Sequence, residues 1–170
     1  MNPVDFLNTV VEPNIKAMLD TPGDLRLVHN AVSSVDALAA HIYHWSVANR
    51  RGYTNAKDDT HYRQLLSDAD DDFSLLRDLA KMHKHVVLRR GKPRISDPSQ
   101  QHVGSLDWEE IEWSDLGFGK SQNVLVIDDS GKARVVEAVV VYSLHHLQRE
   151  MIALELLIPS NRRNQKPACT

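Results

Sequence analysis

The chain has 170 residues, 42% of them hydrophobic and 25% charged, with a formal net charge of -3. That is enough chain to bury the core of one compact domain, too apolar for wholesale disorder, and too poor in Gly and Pro for a low-complexity polymer. No stretch approaches the roughly 20 apolar residues of a membrane-spanning helix, and the lone cysteine, Cys169, excludes an internal disulfide or a multi-cysteine metal site.

The first residues lack the basic start and apolar run of a signal peptide, and one cysteine fits a reducing compartment, so a cytoplasmic setting is expected. From about Pro3 to Asp20, the positions Phe6, Leu7, Val10, Val11, Ile15 and Met18 predict a helix that Pro13 must start or interrupt. Thr21-Pro22 is a helix opening. Beyond it Leu25, Val28, Val32, Val35, Ala39 and Ile42 recur at three- and four-residue steps, which predicts a long helix from Asp24 to about Arg50, closed by Gly52. A third helical region starts near Asp58. A break at Ser67-Asp68 should cap a further helix that runs to about Arg90, where Gly91 and Pro93 stop it.

Residues 91–122 have no sustained period and read as loop with short strands. Residues 123–136 then form a β-hairpin pattern, two Val-rich runs around Asp128-Asp-Ser-Gly131. The second strand leads into a last helix from Val135 to about Leu157, and residues 161–170 read as a flexible basic tail. The fold expected is mainly α, an antiparallel bundle of about four main helices with a small β-hairpin before the C-terminal helix, in one domain over residues 1–160.

Charge is segregated. Asp58 to Asp72 holds six Asp against Arg63 alone, while Arg77 to Arg94 holds seven basic residues against Asp78 alone. Lys81, Lys84, Arg89, Arg90, Lys92 and Arg94 therefore make a candidate surface for RNA phosphates. The same residues could instead pair with the acidic segments.

On a helical wheel, His83 falls within the stripe of Phe73, Leu76, Leu79, Ala80, Val86 and Val87, with Arg77 about 120° away on a basic face with Lys81 and Lys84. In the last helix Glu150 falls inside the apolar stripe and His146 at its edge. His29 and Asp36 follow the stripe edge of the long helix. Burial of His83 and Glu150 is expected, each with a partner, and a polar cluster of His29, Asp36, His83, His146 and Glu150 could assemble inside the bundle. Such a cluster reads as an internal network, a metal site or an acid–base centre. Neither Glu-x-x-His pairs nor His-Glu-x-x-His occur, so no metal or other cofactor is assigned.

Arg77-Asp78-Leu79-Ala80-Lys81-Met82-His83 resembles the motif of the HEPN superfamily, helical ribonucleases of prokaryotic toxin and defence systems. Asp78 stands where the pattern more usually has Asn. The resemblance implies a metal-independent endoribonuclease with Arg77 on the scissile phosphate, His83 in proton transfer and Asp78 as the polar second position. It also implies a homodimer that builds one cleft from two such helices. The alternative, from another class, is a non-enzymatic helical module that docks a protein partner, or its own copy, through Trp45 and the Trp108/Trp113 loop.

Overall fold

A computed structural model describes residues 1–49, 56–86, 88, 93–105 and 122–157. It is mainly helical, with a small antiparallel sheet before the C-terminal helix. Of the sequence expectations, Arg89, Arg90, Lys92, Trp108, Trp113 and the basic tail lie outside the described residues.

The first rod consists of α1 (Pro3–Phe6), a π turn (Leu7–Val11) and α2 (Glu12–Asp20). Asn2 caps it by accepting from the Asp5 N–H at 2.9 Å. Pro13 stands in the first turn of α2, directly after the π turn, so it marks an interruption and a helix start as expected. Its missing N–H cannot bond four residues back, and the π turn just before it absorbs the mismatch, with Glu12 N–H bonding to the Leu7 carbonyl. Asp24 caps α3 (Leu25–Ala48) by accepting from Arg26 and Leu27 N–H. The predicted stripe of α3 is the centre of the core from Val28 on: Val28, Val32, Val35, Ala39 and Ile42 are fully buried, joined by Leu38, whereas Leu25 in the first turn is exposed. This helix packs against α2, α4 (Asp59–Ala69), α5 (Asp71–His85) and α6 (Val136–Ala153).

The break between α4 and α5 falls at Asp70, not at Ser67-Asp68. Asp70 closes α4 with extended backbone and caps α5 by accepting from Phe73 N–H at 2.9 Å. Ser67 stays helical because its hydroxyl bonds back to the Arg63 carbonyl. Nor does α5 continue to Arg90. It ends at His85 because Val86 turns into the left-handed region, at φ 64°, a strained place for a β-branched residue. The chain then folds back, Leu88 N–H bonding to the Ser96 carbonyl, and buries Ile95 completely.

The sheet has the order β1-β2-β3, with β1 (Gln101–Gly104), β2 (Asn123–Ile127) and β3 (Ala133–Val135) all antiparallel. The expected hairpin is β2-β3, in register Leu125 with Val135. Its turn is held by Asp128, which accepts from Ser130 and Lys132 N–H, and by Gly131 at φ 83°. β1 adds a third strand, Gln101 opposite Val126 and Gly104 opposite Asn123. β3 runs directly into α6, whose regular turns stop at Ala153, short of Leu157.

Candidate functional site

The cluster expected inside the bundle divides into three separate places. Asp36 belongs to the first, where α3, α4 and α5 meet. Its carboxylate is buried and lies 3.4 Å from Arg63 Nη1 and 3.9 Å from Lys84 Nζ. Arg63 also holds Asp59 at 2.9 Å. Asp36 Oδ1 is buried with no hydrogen-bond partner among the described residues.

Arg77 faces this same region, which corrects its placement on a solvated basic face. Its side chain is buried, donating to Gln64 Oε1 at 2.6 Å and to the Thr60 carbonyl at 3.3 Å. The reason is α4: it covers the side of α5 that looks polar on a wheel. Burial lowers the guanidinium pKa, while the Asp36 and Asp78 charges oppose that shift. Asp78 is buried too. It accepts from Lys81 Nζ at 2.8 Å and from the Arg94 backbone N–H at 2.9 Å, so it ties the return segment to α5.

Arg94 adds to that tie. Its guanidinium donates to the Asp71 carbonyl at 3.0 Å and lies 3.7 Å from Asp128 Oδ2. Arg134, also buried, reaches Asp72 at 2.6 Å. Much of the segregated charge is thus neutralised internally, acidic segment against basic. Lys84 differs: 60% of its side chain is exposed and its contact with Asp36 is long, at 3.9 Å.

The second place holds His146, which is buried as its stripe-edge position suggested. Its Nδ1 lies 3.7 Å from Asp70 Oδ2 and 3.4 Å from Arg149 Nη2, and its ring packs beside Phe73. Glu150, expected in the core, is only half-buried. Among residues 150–154 only Met151 and Leu154 are buried, so the covered arc of α6 has narrowed there. The buried carboxylate of α6 is Glu137, with no exposed surface, accepting from Gly23 N–H at 3.1 Å and Val124 N–H at 3.0 Å. Burial raises its pKa, and those N–H groups pull it back. The signal for it was present: Glu137, Val140, Leu144, Leu147 and Met151 follow one another at three- and four-residue steps.

The third place lies at the surface, where the start of α3, the end of α5 and β1 converge. Here the His29 and His83 rings stack, centroids 4.1 Å apart and planes 11° from parallel. His29 is exposed, not part of an interior cluster, and His83 is half-buried, not fully buried as its stripe position implied. His83 lies in the last turn of α5, where the His29 ring and Gln101 of β1 lie against it. Its Nε2 lies 3.4 Å from Gln101 Oε1, and its Nδ1 is buried with no hydrogen-bond partner among the described residues. Burial, with the charge of His29 adding to it, pushes the His83 pKa down to about 4, so the ring is neutral at pH 7.

The two ends of the Arg77–His83 motif therefore look in different directions, one into the bundle and one towards this surface. Arg77 shares no hydrogen-bonding or ring partner with His83 among the described residues. Trp45 is half-buried in α3. Among the described residues no three His, Cys, Asp or Glu side chains gather as metal ligands, and no helix is long and apolar enough to cross a membrane. No family model, curated protein or solved structure matches the chain.

Proposed function

We propose that the protein is a metal-independent, RNA-cleaving protein of the HEPN-like kind, working at the surface where α3, α5 and β1 meet. The observation that carries this reading is the stacked His29–His83 pair at the C-terminal end of α5, whose last turn holds His83, Lys84 and His85. One imidazole of the pair is open to solvent and the other is neutral at physiological pH, which is what proton transfer at a ribose 2′-hydroxyl needs. Lys84, next to His83 in sequence, and Arg26, one turn before His29, have side chains 60% and 72% exposed. Both can offset phosphate charge. Arg77 is assigned to holding α4 on α5 and not to the phosphate, because its guanidinium is already engaged. A second copy of the chain would extend the basic surface across the RNA.

The test is direct. Purified protein in excess chelator should bind single-stranded RNA at low salt and cleave it to fragments ending in a cyclic phosphate. Binding should weaken steeply as salt rises, through counterion release. Absence of cleavage at low salt, by protein shown to be folded, overturns the reading, whether or not the RNA is bound.

A further inference from the structure

We infer that the group exchanging the proton with RNA is His29 of α3, and that His83 of the Arg77–His83 motif is its positioning platform. The inference rests on the ribonuclease reading above and assigns roles within it. A base must touch the hydroxyl it deprotonates. His83 Nδ1 is buried, and Nε2 lies 3.4 Å from the Gln101 side-chain oxygen, so one nitrogen of His83 is covered and the other is already engaged. His29 is exposed, and its only ring contact among the described residues is the stack on His83.

The second step is what the stack does. Near-parallel rings 4.1 Å apart restrict His29 to one plane while leaving its edge free. Gln101, delivered by β1, fixes His83 in turn, with Nε2–H donating to the amide oxygen. A neutral ring behind His29 accommodates an imidazolium through its π face, whereas a charged one would repel it. The neutrality of His83 at pH 7 therefore suits a platform, while its covered Nδ1 and its Nε2 contact with Gln101 keep it from serving as the base.

The reaction then balances as follows. A His29 ring nitrogen takes the proton of the 2′-hydroxyl as O2′ attacks phosphorus. The P–O2′ bond forms and the P–O5′ bond breaks. The departing O5′ takes a proton from water, and the His29 imidazolium returns its proton to solvent, leaving a 2′,3′-cyclic phosphate and a 5′-hydroxyl. Arg26 and Lys84 offset the charge that grows on the phosphate oxygens.

The experiment uses the full chain with a fluorescent single-stranded RNA in chelator, and compares wild type, His29→Ala, His83→Ala and His83→Phe. His29→Ala, at an exposed position, should fold normally and lose about 100-fold or more in kcat, the usual worth of a general base. His83→Ala should lose about tenfold in kcat with little change in KM, as mispositioning does. His83→Phe, which keeps a ring under His29, should recover most of that loss. An independent readout is the NMR shift of the His29 ring protons: the upfield ring-current displacement should vanish in His83→Ala and persist in His83→Phe. If His29→Ala cleaves as fast as wild type while both His83 variants are inactive, the assignment is overturned and the ribonuclease reading stands. If folded wild type cuts no RNA, the ribonuclease reading falls and this assignment with it.

Discussion

The His83 ring makes stability depend on acidity in a calculable way. In the native state its pKa is pushed from 6.5 down to about 4, chiefly by burial. Between those values the unfolded chain binds a proton that the folded chain does not, so stability must fall as pH drops from about 6.5 towards 4. At full strength a displacement from 6.5 to about 4 corresponds to about 3 kcal/mol. The residue is only half-buried, and solvent screening reduces the effect to about 1.5–2 kcal/mol. Replacing His83 by Phe keeps the ring and its stack but removes the titration. The assay is urea denaturation at pH 7.5 and at pH 4.5, at constant ionic strength, for both proteins. Wild type should lose about 1.5–2 kcal/mol more than the variant between the two pH values. The difference between the proteins cancels the carboxylates they share, including Glu137, whose raised pKa favours the folded state as pH falls, and Asp128, whose lowered pKa opposes it. Parallel losses in the two proteins would refute the reasoning, because His83 would then carry its proton equally in both states.

Four further outcomes follow from the geometry. Glu137→Ala leaves the Gly23 and Val124 N–H groups without their acceptor and should cost about 3–4 kcal/mol in urea denaturation. Glu150→Ala, at a half-exposed position, should cost under about 1 kcal/mol, and equal effects would show that the assigned face of α6 is wrong. Arg77→Ala should destabilise by about 2–3 kcal/mol in the same assay, and Arg77→Lys should recover little of it, since one ammonium cannot span both Gln64 and the Thr60 carbonyl; full recovery by Lys would mean that charge alone matters there. In RNA binding measured against salt, Lys84→Ala should lower the slope of log affinity on log salt by about 1, and an unchanged slope would remove Lys84 from the RNA surface.

Helix existence was legible because it rests on a period, and a period survives ignorance of the neighbours. The α3 stripe is buried from Val28 to Ile42, with Leu25 at the helix start exposed, and the β2-β3 hairpin follows from Val-rich runs around a Gly turn. Boundaries were less legible because capping competes among adjacent candidates. Asp68, Asp70, Asp71 and Asp72 could each cap a helix by type, and only Asp70 has the extended backbone to do it. Which polar residue is buried was the least legible, since burial depends on the element that lands on a face. Arg77 is covered by α4, Glu137 by the Gly23 turn and β2, and neither element is near its target in the period that a wheel displays.

The Arg77–His83 spacing carries the same lesson into the chemistry. Six residues on an α-helix turn through about 600°, which leaves the two side chains about 120° apart. Within one chain such a pair cannot grip one phosphate from one direction, and here each end finds a different neighbour. Arg77 is turned into the α4 contact, where its fork is more useful as a clamp than as a ligand site. His83 is turned to the surface, where it meets a second imidazole from a helix far away in sequence. Any acid–base site on this face must therefore be assembled from α3 as well as α5. That is why His29, which belongs to no motif and reads on a wheel as one more stripe-edge residue, is the position on which the proposed chemistry turns.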